Sequence, residues 1–135
     1  MARLEPGVPA PDFTLPSDGG GDISLSSLWG SPVVIYCYPK AMTSGCTTQA
    51  CDYRDRMTDF SSLGAHVLGI SPDPVSRLVT FREKEGLTFP LLSDESHEVL
   101  EAYGVWVEKS MYGRQFMGVE RSTFIVNAEG TIVHA

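Results

Sequence analysis

Two short apolar runs in the sequence predict buried β-strands. Residues 33–38 read VVIYCY, and residues 66–70 read HVLGI. Apolar, β-branched and aromatic residues without a polar alternation are typical of strands covered on both faces, as in a parallel sheet. Pro39 follows the first run and ends it, because proline has no N–H to donate to a neighbouring strand.

Between these runs, a periodic pattern predicts a helix that begins near Cys46. Apolar side chains recur at alternating steps of four and three residues, which places them on one helical face. Cys51 lies on a different face, so we expect Cys46 to face the protein body at the helix N-terminus and Cys51 to lie nearer solvent. The apolar face consists of Cys46, Ala50, Tyr53, Met57 and Phe60.

The remaining patterns complete an α/β arrangement. Asp73 is placed to cap a helix with Pro74 at its first position, and this helix runs to about Gly86. A second helix is expected over residues 96–103. Residues 122–126 (STFIV) and 131–133 (TIV) are joined by Asn-Ala-Glu-Gly, a turn that ends in glycine, which predicts a hairpin. A β-α-β unit followed by a hairpin predicts a thioredoxin-like fold, in which helices flank a central mixed sheet.

Length and composition are those of one globular domain spanning residues 1–135. A 42% hydrophobic and 20% charged composition is typical of a soluble protein. The net charge of -7 disfavours binding to nucleic acid or to an anionic membrane surface. Since no secretory leader is visible at the N-terminus, we expect a cytoplasmic protein. In a reducing compartment its three cysteines are expected to be reactive or simply buried.

The three thiols have different expected environments. A cysteine in the first turn of a helix meets unpaired N–H groups and the positive end of the helix dipole, and both favour thiolate. Thr43 can place a hydroxyl beside Cys46. The alternative is that Cys46 is a small buried hydrophobe, a role that fits Cys37 in mid-strand better. A zinc site is disfavoured, because the paired short spacings of structural zinc modules are absent and the histidines are scattered: His66, His97 and His134.

The segment PKAMTSGC resembles the Pro-x-x-x-Thr/Ser-x-x-Cys signature of the peroxiredoxins. The longer string YPKAMTSGCTTQACDYRD is similar to the PrxQ branch, also called bacterioferritin comigratory protein. LLSDES, YGVWVEKSMYG and GVERSTFIV extend the resemblance over essentially the whole chain. It implies a thiol peroxidase in which Cys46 is the peroxidatic cysteine and Cys51 the resolving cysteine. By the same resemblance, Thr43 and Arg121 are expected to hold the peroxide and the thiolate, and Pro39 is expected to shield the pocket.

The resemblance also implies the partners. We expect hydrogen peroxide or an organic hydroperoxide as the substrate, and thioredoxin or a similar dithiol as the reductant that recycles the enzyme. No metal, flavin or haem is needed, and a monomer is expected. Two other functions stay open: a redox-switched binding protein that uses the same disulfide, and a thioredoxin-type disulfide oxidoreductase. The five-residue spacing of Cys46 and Cys51 argues against the second.

Three features depart from the PrxQ pattern. Ser44 stands where proline is usual, and Gln49 stands where glutamate is frequent. Without the proline, the backbone before Cys46 is freer. Ala135 falls in what should be the last strand, whereas the family continues with a further helix, so we expect the last C-terminal element of the fold to be missing.

Helix geometry predicts a conformational change if Cys46 and Cys51 form a disulfide. Residues five apart on an α-helix have Cα atoms roughly 8.5 Å apart. A disulfide allows a Cα–Cα separation of at most about 7 Å. The helix between the two cysteines must therefore unwind before the bond can form.

Overall fold

A computed structural model describes residues 3–135 as an α/β fold with a central five-stranded sheet. A short 3-10 turn covers Leu25–Leu28. In chain order the strands and helices are β1 (Thr14–Pro16), β2 (Asp22–Ser24), β3 (Val33–Cys37), α1 (Ser44–Asp55), α2 (Met57–Ser62), β4 (His66–Ser71), α3 (Val75–Glu85), β5 (Leu91–Ser93), α4 (Glu98–Ala102), β6 (Trp106–Met111), β7 (Arg114–Val119), β8 (Ser122–Val126) and β9 (Ile132–His134).

The central sheet is mixed, with strand order β5-β4-β3-β8-β9. Strands β3, β4 and β5 are parallel, whereas β8 runs antiparallel to β3 and β9 antiparallel to β8. The carboxyl end of β3 therefore lies beside the amino end of β8, where Cys37 pairs with Ser122. This topology brings the loop after β3 and the residue before β8 to the same edge of the sheet.

The sheet separates two apolar clusters because successive side chains of a strand point to opposite faces. On one face, Ile35 and Cys37 pack with the buried side of α4 and with apolar residues of the N-terminal segment. On the other face, Tyr36 and Tyr38 pack with Cys46 and with the buried side of α3. Helix α1 therefore covers the tyrosine face of β3.

Gly69 in β4 leaves room for the Tyr36 ring of the neighbouring strand β3. A Cβ at this position would come within 2.9 Å of the Tyr36 ring and hydroxyl, closer than carbon atoms pack. The neighbouring strand thus needs glycine here, and the aromatic layer beneath α1 depends on it.

Most elements predicted from the apolar patterns are confirmed, including the buried strands β3 and β4 and the hairpin β8–β9. The prediction of one unbroken helix from Cys46 to Phe60 is wrong. Helix α1 ends at Asp55 and α2 begins at Met57, with Arg56 at the break (φ -104°, ψ 6°). The apolar stripe continues in phase across the break, because Tyr53, Met57 and Phe60 all pack against the tyrosine-side cluster.

Two predicted helix starts are also wrong. Pro74 is the N-cap of α3 rather than its first helical residue, so Asp73 lies outside the helix and does not cap it. Gly86 ends α3 in a left-handed conformation (φ 62°), as expected for a helix terminator. Helix α4 begins at Glu98 rather than at residue 96, since its N-cap His97 has a left-handed backbone (φ 55°).

The hairpin formed by β6 and β7 was not predicted. Its turn has positive φ at both Tyr112 and Gly113, which suits a two-residue connection. The hairpin forms its own two-stranded sheet, which ends at Val119, two positions before Arg121. Within residues 3–135 the structure contains no helix with the length and apolar character to cross a membrane.

Candidate active site

Cys46 lies where the sequence predicts, in the first turn of α1 and almost fully buried (1% exposed). Thr43 is the N-cap, with an extended backbone, and its carbonyl accepts the first helical hydrogen bond from Thr47 N–H at 2.8 Å. The N–H groups of the first turn have no partner within the helix, and that turn contains no acidic side chain. The sulfur therefore meets a local environment that favours negative charge.

The guanidinium of Arg121 contacts the Cys46 thiol directly. Its Nη2 donates to Cys46 Sγ at 3.2 Å, and its Nη1 donates to Gln49 Oε1 at 2.7 Å. Cys46 and Gln49 are three positions apart on α1, so one planar fork bridges two neighbouring side chains of the helix. Gln49 thus fixes the orientation in which the cation faces the sulfur.

Gly45 leaves room for this cation over the first turn of α1. A Cβ at Gly45 would lie 3.3 Å from Arg121 Nη2, a tighter contact than side-chain atoms normally make. Arg121 itself immediately precedes β8, whose first residue pairs with the last residue of β3. The sheet register and the small residue before Cys46 together place the guanidinium at the sulfur.

A buried carboxylate anchors the loop between β3 and α1. Asp73, only 7% exposed, accepts hydrogen bonds at Oδ2 from Ala41 N–H (2.7 Å) and from Ser71 Oγ (2.8 Å). Arg77 pairs with Asp73 at 3.3 Å and donates from Nη2 to the Ala41 carbonyl at 3.0 Å. The N–H and the carbonyl of Ala41 are therefore both hydrogen-bonded, the first by Asp73 just before α3 and the second by Arg77 near the start of α3.

Two more of the predicted site residues, Thr43 and Pro39, lie in the same loop. Thr43 Oγ1 donates to the carbonyl of Lys40 at 2.9 Å, which leaves the hydroxyl oxygen as an acceptor near the helix N-terminus. Pro39 is half-buried and directly follows Tyr38 at the carboxyl end of the β3 run. The structure brings Arg121 into contact with Cys46, and it places Thr43 and Pro39 in the loop that leads to that thiol.

An aromatic layer lies beneath the site. The Tyr36 ring stacks on Tyr53 (4.6 Å between centroids) and on Tyr38 (5.3 Å). Burial raises the pKa of the Tyr36 phenol well above its ordinary value, and the neighbouring phenols and the Cys46 sulfur act in the same direction. The phenol is therefore neutral at physiological pH and adds no competing negative charge beside Cys46.

Cys51 has a different environment, as predicted. It is half-buried on α1, and its Sγ donates to Glu85 Oε2 at 3.6 Å. Burial raises the pKa of the Cys51 thiol; Arg54 opposes this effect, and the contact with Glu85 adds to it. Cys51 is thus held as a thiol, and the structure is that of the reduced protein, since its cysteines are free.

Cys37 takes no part in the site. It is 1% exposed and faces the side of the sheet opposite to Cys46. Burial, with a smaller contribution from the nearby charge of Asp94, raises the pKa of the Cys37 thiol to about 12. Among residues 3–135 no three cysteine, histidine or acidic side chains are grouped to hold a metal ion.

The sequence did not predict the part that three residues, Gln49, Asp73 and Arg77, play in shaping the site. Gln49 orients Arg121 across 72 positions of the chain, and no local pattern indicates this pair. Asp73 and Arg77 hold the loop at Ala41, although the Asp-Pro pair suggested a helix cap instead. The sequence contains these polar residues, but their hydrogen-bond partners are determined by the tertiary fold.

A nucleophilic thiol at a helix N-terminus, in contact with a fixed cation, is equipped to attack an electrophile and to stabilise the negative charge that leaves. The profile of the AhpC/TSA family matches residues 6–135. The chain belongs to this family. Its thioredoxin-like fold is the one that the sequence predicts.

Similar proteins identify the chain as a peroxiredoxin of the Bcp/PrxQ group. It is 48% identical to peroxiredoxin Bcp of Escherichia coli over 134 residues, which cover 99% of this chain and 86% of the relative. It is 45% identical to peroxiredoxin Bcp of Bacillus subtilis over 130 residues, covering 96% of this chain and 83% of that protein.

Solved structures of the same group superpose closely. A Xanthomonas campestris bacterioferritin comigratory protein, studied for alkyl peroxide reduction, matches with a TM-score of 0.90 and 38% identity. That match covers 96% of this chain and 85% of the other. A PrxQ variant of Xylella fastidiosa matches with a TM-score of 0.92 and 31% identity, over 99% and 85% of the two chains. This peroxiredoxin is therefore a thiol peroxidase that acts on peroxides with a thiol reductant.

Proposed function

We propose that Cys46 is the peroxidatic cysteine and Cys51 the resolving cysteine of a peroxidase that thioredoxin or a similar dithiol recycles. The observation that carries this proposal is the contact of 3.2 Å between Arg121 Nη2 and Cys46 Sγ at the N-terminus of α1. Of the three thiols, Cys46 is the one in contact with a guanidinium, whereas Cys51 contacts a carboxylate and Cys37 is buried on the other face.

The first step oxidises Cys46. Its thiolate attacks one oxygen of the peroxide, the O–O bond breaks, and the departing oxygen leaves as an alkoxide or hydroxide that takes up a proton. Cys46 becomes a sulfenic acid. Arg121 stabilises the charge that moves from sulfur to the departing oxygen, and the Thr43 oxygen accepts a hydrogen bond from the peroxide hydroxyl.

Thiolate formation alone does not explain peroxidase activity. For any thiol, lowering the pKa from about 8.5 to about 6 raises the thiolate fraction at neutral pH roughly thirtyfold. The intrinsic nucleophilicity then falls about tenfold, so the net gain is only a few-fold. Because this gain is small, we assign the larger effect to transition-state stabilisation by Arg121, held in place by Gln49.

The second and third steps restore the enzyme. The Cys51 sulfur attacks the sulfenic sulfur of Cys46, a disulfide forms, and the hydroxyl leaves as water with the thiol proton. An external dithiol then reduces this disulfide by thiol–disulfide exchange and is itself oxidised. Both cysteines lie within the intact helix Ser44–Asp55, so α1 must unwind for the second step.

Steady-state turnover tests the assignment of roles. In an NADPH-coupled assay with thioredoxin and its reductase, Cys46→Ser is expected to abolish peroxide consumption. Cys51→Ser is expected to consume about one equivalent and then stop as a sulfenic acid open to over-oxidation. Cys37→Ser, the matched control for loss of a thiol, should keep full turnover. Sustained turnover by Cys46→Ser would contradict the proposal.

The same assay, with insulin reduction measured in parallel, separates the alternative functions. A redox-switched binding protein would be oxidised stoichiometrically by peroxide without sustained NADPH consumption. A thioredoxin-type oxidoreductase would reduce insulin and fail to consume peroxide. Thioredoxin as the electron donor, a monomeric state and a cytoplasmic location stay predictions from the sequence.

A further inference from the structure

Glu85, the last residue of α3, holds two residues of α1 at once. Its carboxylate Oε2 accepts a weak hydrogen bond from Cys51 Sγ at 3.6 Å. Its backbone carbonyl accepts a hydrogen bond from Arg54 Nη1. Cys51 and Arg54 lie three positions apart on α1, so both contacts come from the same helical face.

The contact with Arg54 also stabilises the end of α3. Carbonyl groups in the last turn of a helix have no helical partner, and a cation there interacts favourably with the helix dipole. Arg54 is only 33% exposed in its side chain and also pairs with Asp55 at 3.0 Å, so its guanidinium is fixed between the two helices. Unwinding α1 breaks this contact and the one between Cys51 and Glu85.

Glu85 also affects the chemical state of Cys51. A thiol that donates to a carboxylate keeps its proton; burial is the main cause of the raised pKa of Cys51, and the contact with Glu85 acts in the same direction. The thiol is a much weaker nucleophile than the thiolate. While α1 is folded, Cys51 is therefore both distant from Cys46 and poorly reactive.

We propose that Glu85 and Arg54 are positioning residues that hold Cys51 in folded α1. By holding it there, they limit the rate at which the Cys46–Cys51 disulfide forms. This inference rests on the proposed function, since it concerns the step in which Cys51 resolves the sulfenic acid. The stoichiometry of that step is unchanged, since the thiol and the sulfenic acid give a disulfide and water. Glu85 changes the rate of this step and not its products.

The rate of disulfide formation has a measurable consequence. A sulfenic acid that waits for Cys51 can meet a second peroxide and become sulfinic acid. Releasing Cys51 from Glu85 is expected to favour the disulfide over this second oxidation. The first oxidation of Cys46 should be unaffected, because Glu85 contacts Cys51 and Arg54 rather than Cys46 or Arg121.

Glu85→Ala tests the proposal, with Glu83→Ala as its matched control. Both substitutions remove a carboxylate and add the same helix former to α3, but Glu83 is an exposed residue. After one equivalent of hydrogen peroxide, rapid acid quenching and mass spectrometry follow the sulfenic acid and the disulfide over time. We expect Glu85→Ala to form the disulfide about threefold to tenfold faster than Glu83→Ala, as for loss of one hydrogen bond.

A second readout excludes a general loss of structure. The peroxide concentration that converts half of Cys46 to sulfinic acid should rise by the same factor in Glu85→Ala, while the rate of the first oxidation stays unchanged. Equal or slower disulfide formation in Glu85→Ala than in Glu83→Ala would overturn the role of Glu85. Absence of any Cys46–Cys51 disulfide in the unsubstituted protein would instead overturn the proposed function, so the two failures are distinguishable.

Discussion

Replacing Arg121 by lysine tests whether the planar guanidinium is needed at the thiol. The guanidinium makes two contacts with fixed geometry, one to Cys46 Sγ at 3.2 Å and one to Gln49 Oε1 at 2.7 Å. An ammonium keeps the charge but has a single nitrogen on a flexible stem. It cannot reproduce both contacts in the same plane, so either the sulfur or the orienting amide loses its partner.

The expected magnitude follows from the loss of one charge-assisted hydrogen bond. Such a bond is worth about 1.5–3 kcal/mol, and each 1.4 kcal/mol changes a rate about tenfold. Because the Arg121 side chain is exposed to solvent, we take the lower part of this range. Arg121→Lys should therefore lower the second-order rate constant for peroxide about tenfold to thirtyfold.

Competition with a haem peroxidase of known rate constant measures this step separately from recycling. Arg114→Lys, at an exposed arginine of β7, is the matched control and should leave the rate unchanged. Gln49→Ala keeps the guanidinium but removes its orienting partner, and a smaller, few-fold decrease is expected. If Arg121→Lys kept the rate within twofold of the unsubstituted protein, the geometric role given to the guanidinium would be wrong.

Three further predictions concern the loop, the buried thiol and helix α1. Asp73→Ala leaves the buried N–H of Ala41 without a partner, so the free energy of unfolding measured in urea should fall by about 1–3 kcal/mol. An unchanged free energy of unfolding would contradict the anchoring role of Asp73. Burial raises the pKa of Cys37 to about 12, so its thiol should resist iodoacetamide at pH 8 in the native protein and react only after unfolding. In the unfolded protein the Cys37 thiol ionises at a lower pH than in the folded protein. The contribution of this thiol to the free energy of unfolding is therefore fully present below about pH 9 and is lost as the pH rises towards 12. Oxidation should raise amide exchange across residues 44–54, reversibly with dithiothreitol, and retained protection in the disulfide form would refute the unwinding of α1.

Patterns within one element predicted much of the fold. Consecutive apolar residues identified β3 and β4, and the four- and three-residue steps placed Cys46 against the protein body. The break at Arg56 could not be predicted from this stripe, because the apolar positions stay in phase across it. The hairpin β6–β7 was missed since much of it is exposed and its strands lack a buried, alternating face.

Tertiary contacts explain what the sequence did not predict about the site. The family resemblance singled out Arg121 and Cys46, and the structure places them in contact. It could not show that Gln49 holds the guanidinium, because these residues lie 72 positions apart. Asp73 likewise accepts a hydrogen bond from the N–H of Ala41, 32 positions earlier in the chain, rather than capping the nearby helix. A local motif indicates which polar groups are present, whereas only the packed fold determines which groups meet.

Mapping the cysteines after one equivalent of peroxide tests the central claim most directly. The protein is reduced, freed of reductant, treated with hydrogen peroxide, alkylated and digested for mass spectrometry. We predict that the main product carries a disulfide between Cys46 and Cys51 within one chain, with Cys37 as an unmodified thiol until the protein is unfolded. A product in which Cys46 stays reduced, or in which it is oxidised but bonded to a partner other than Cys51, would contradict the account.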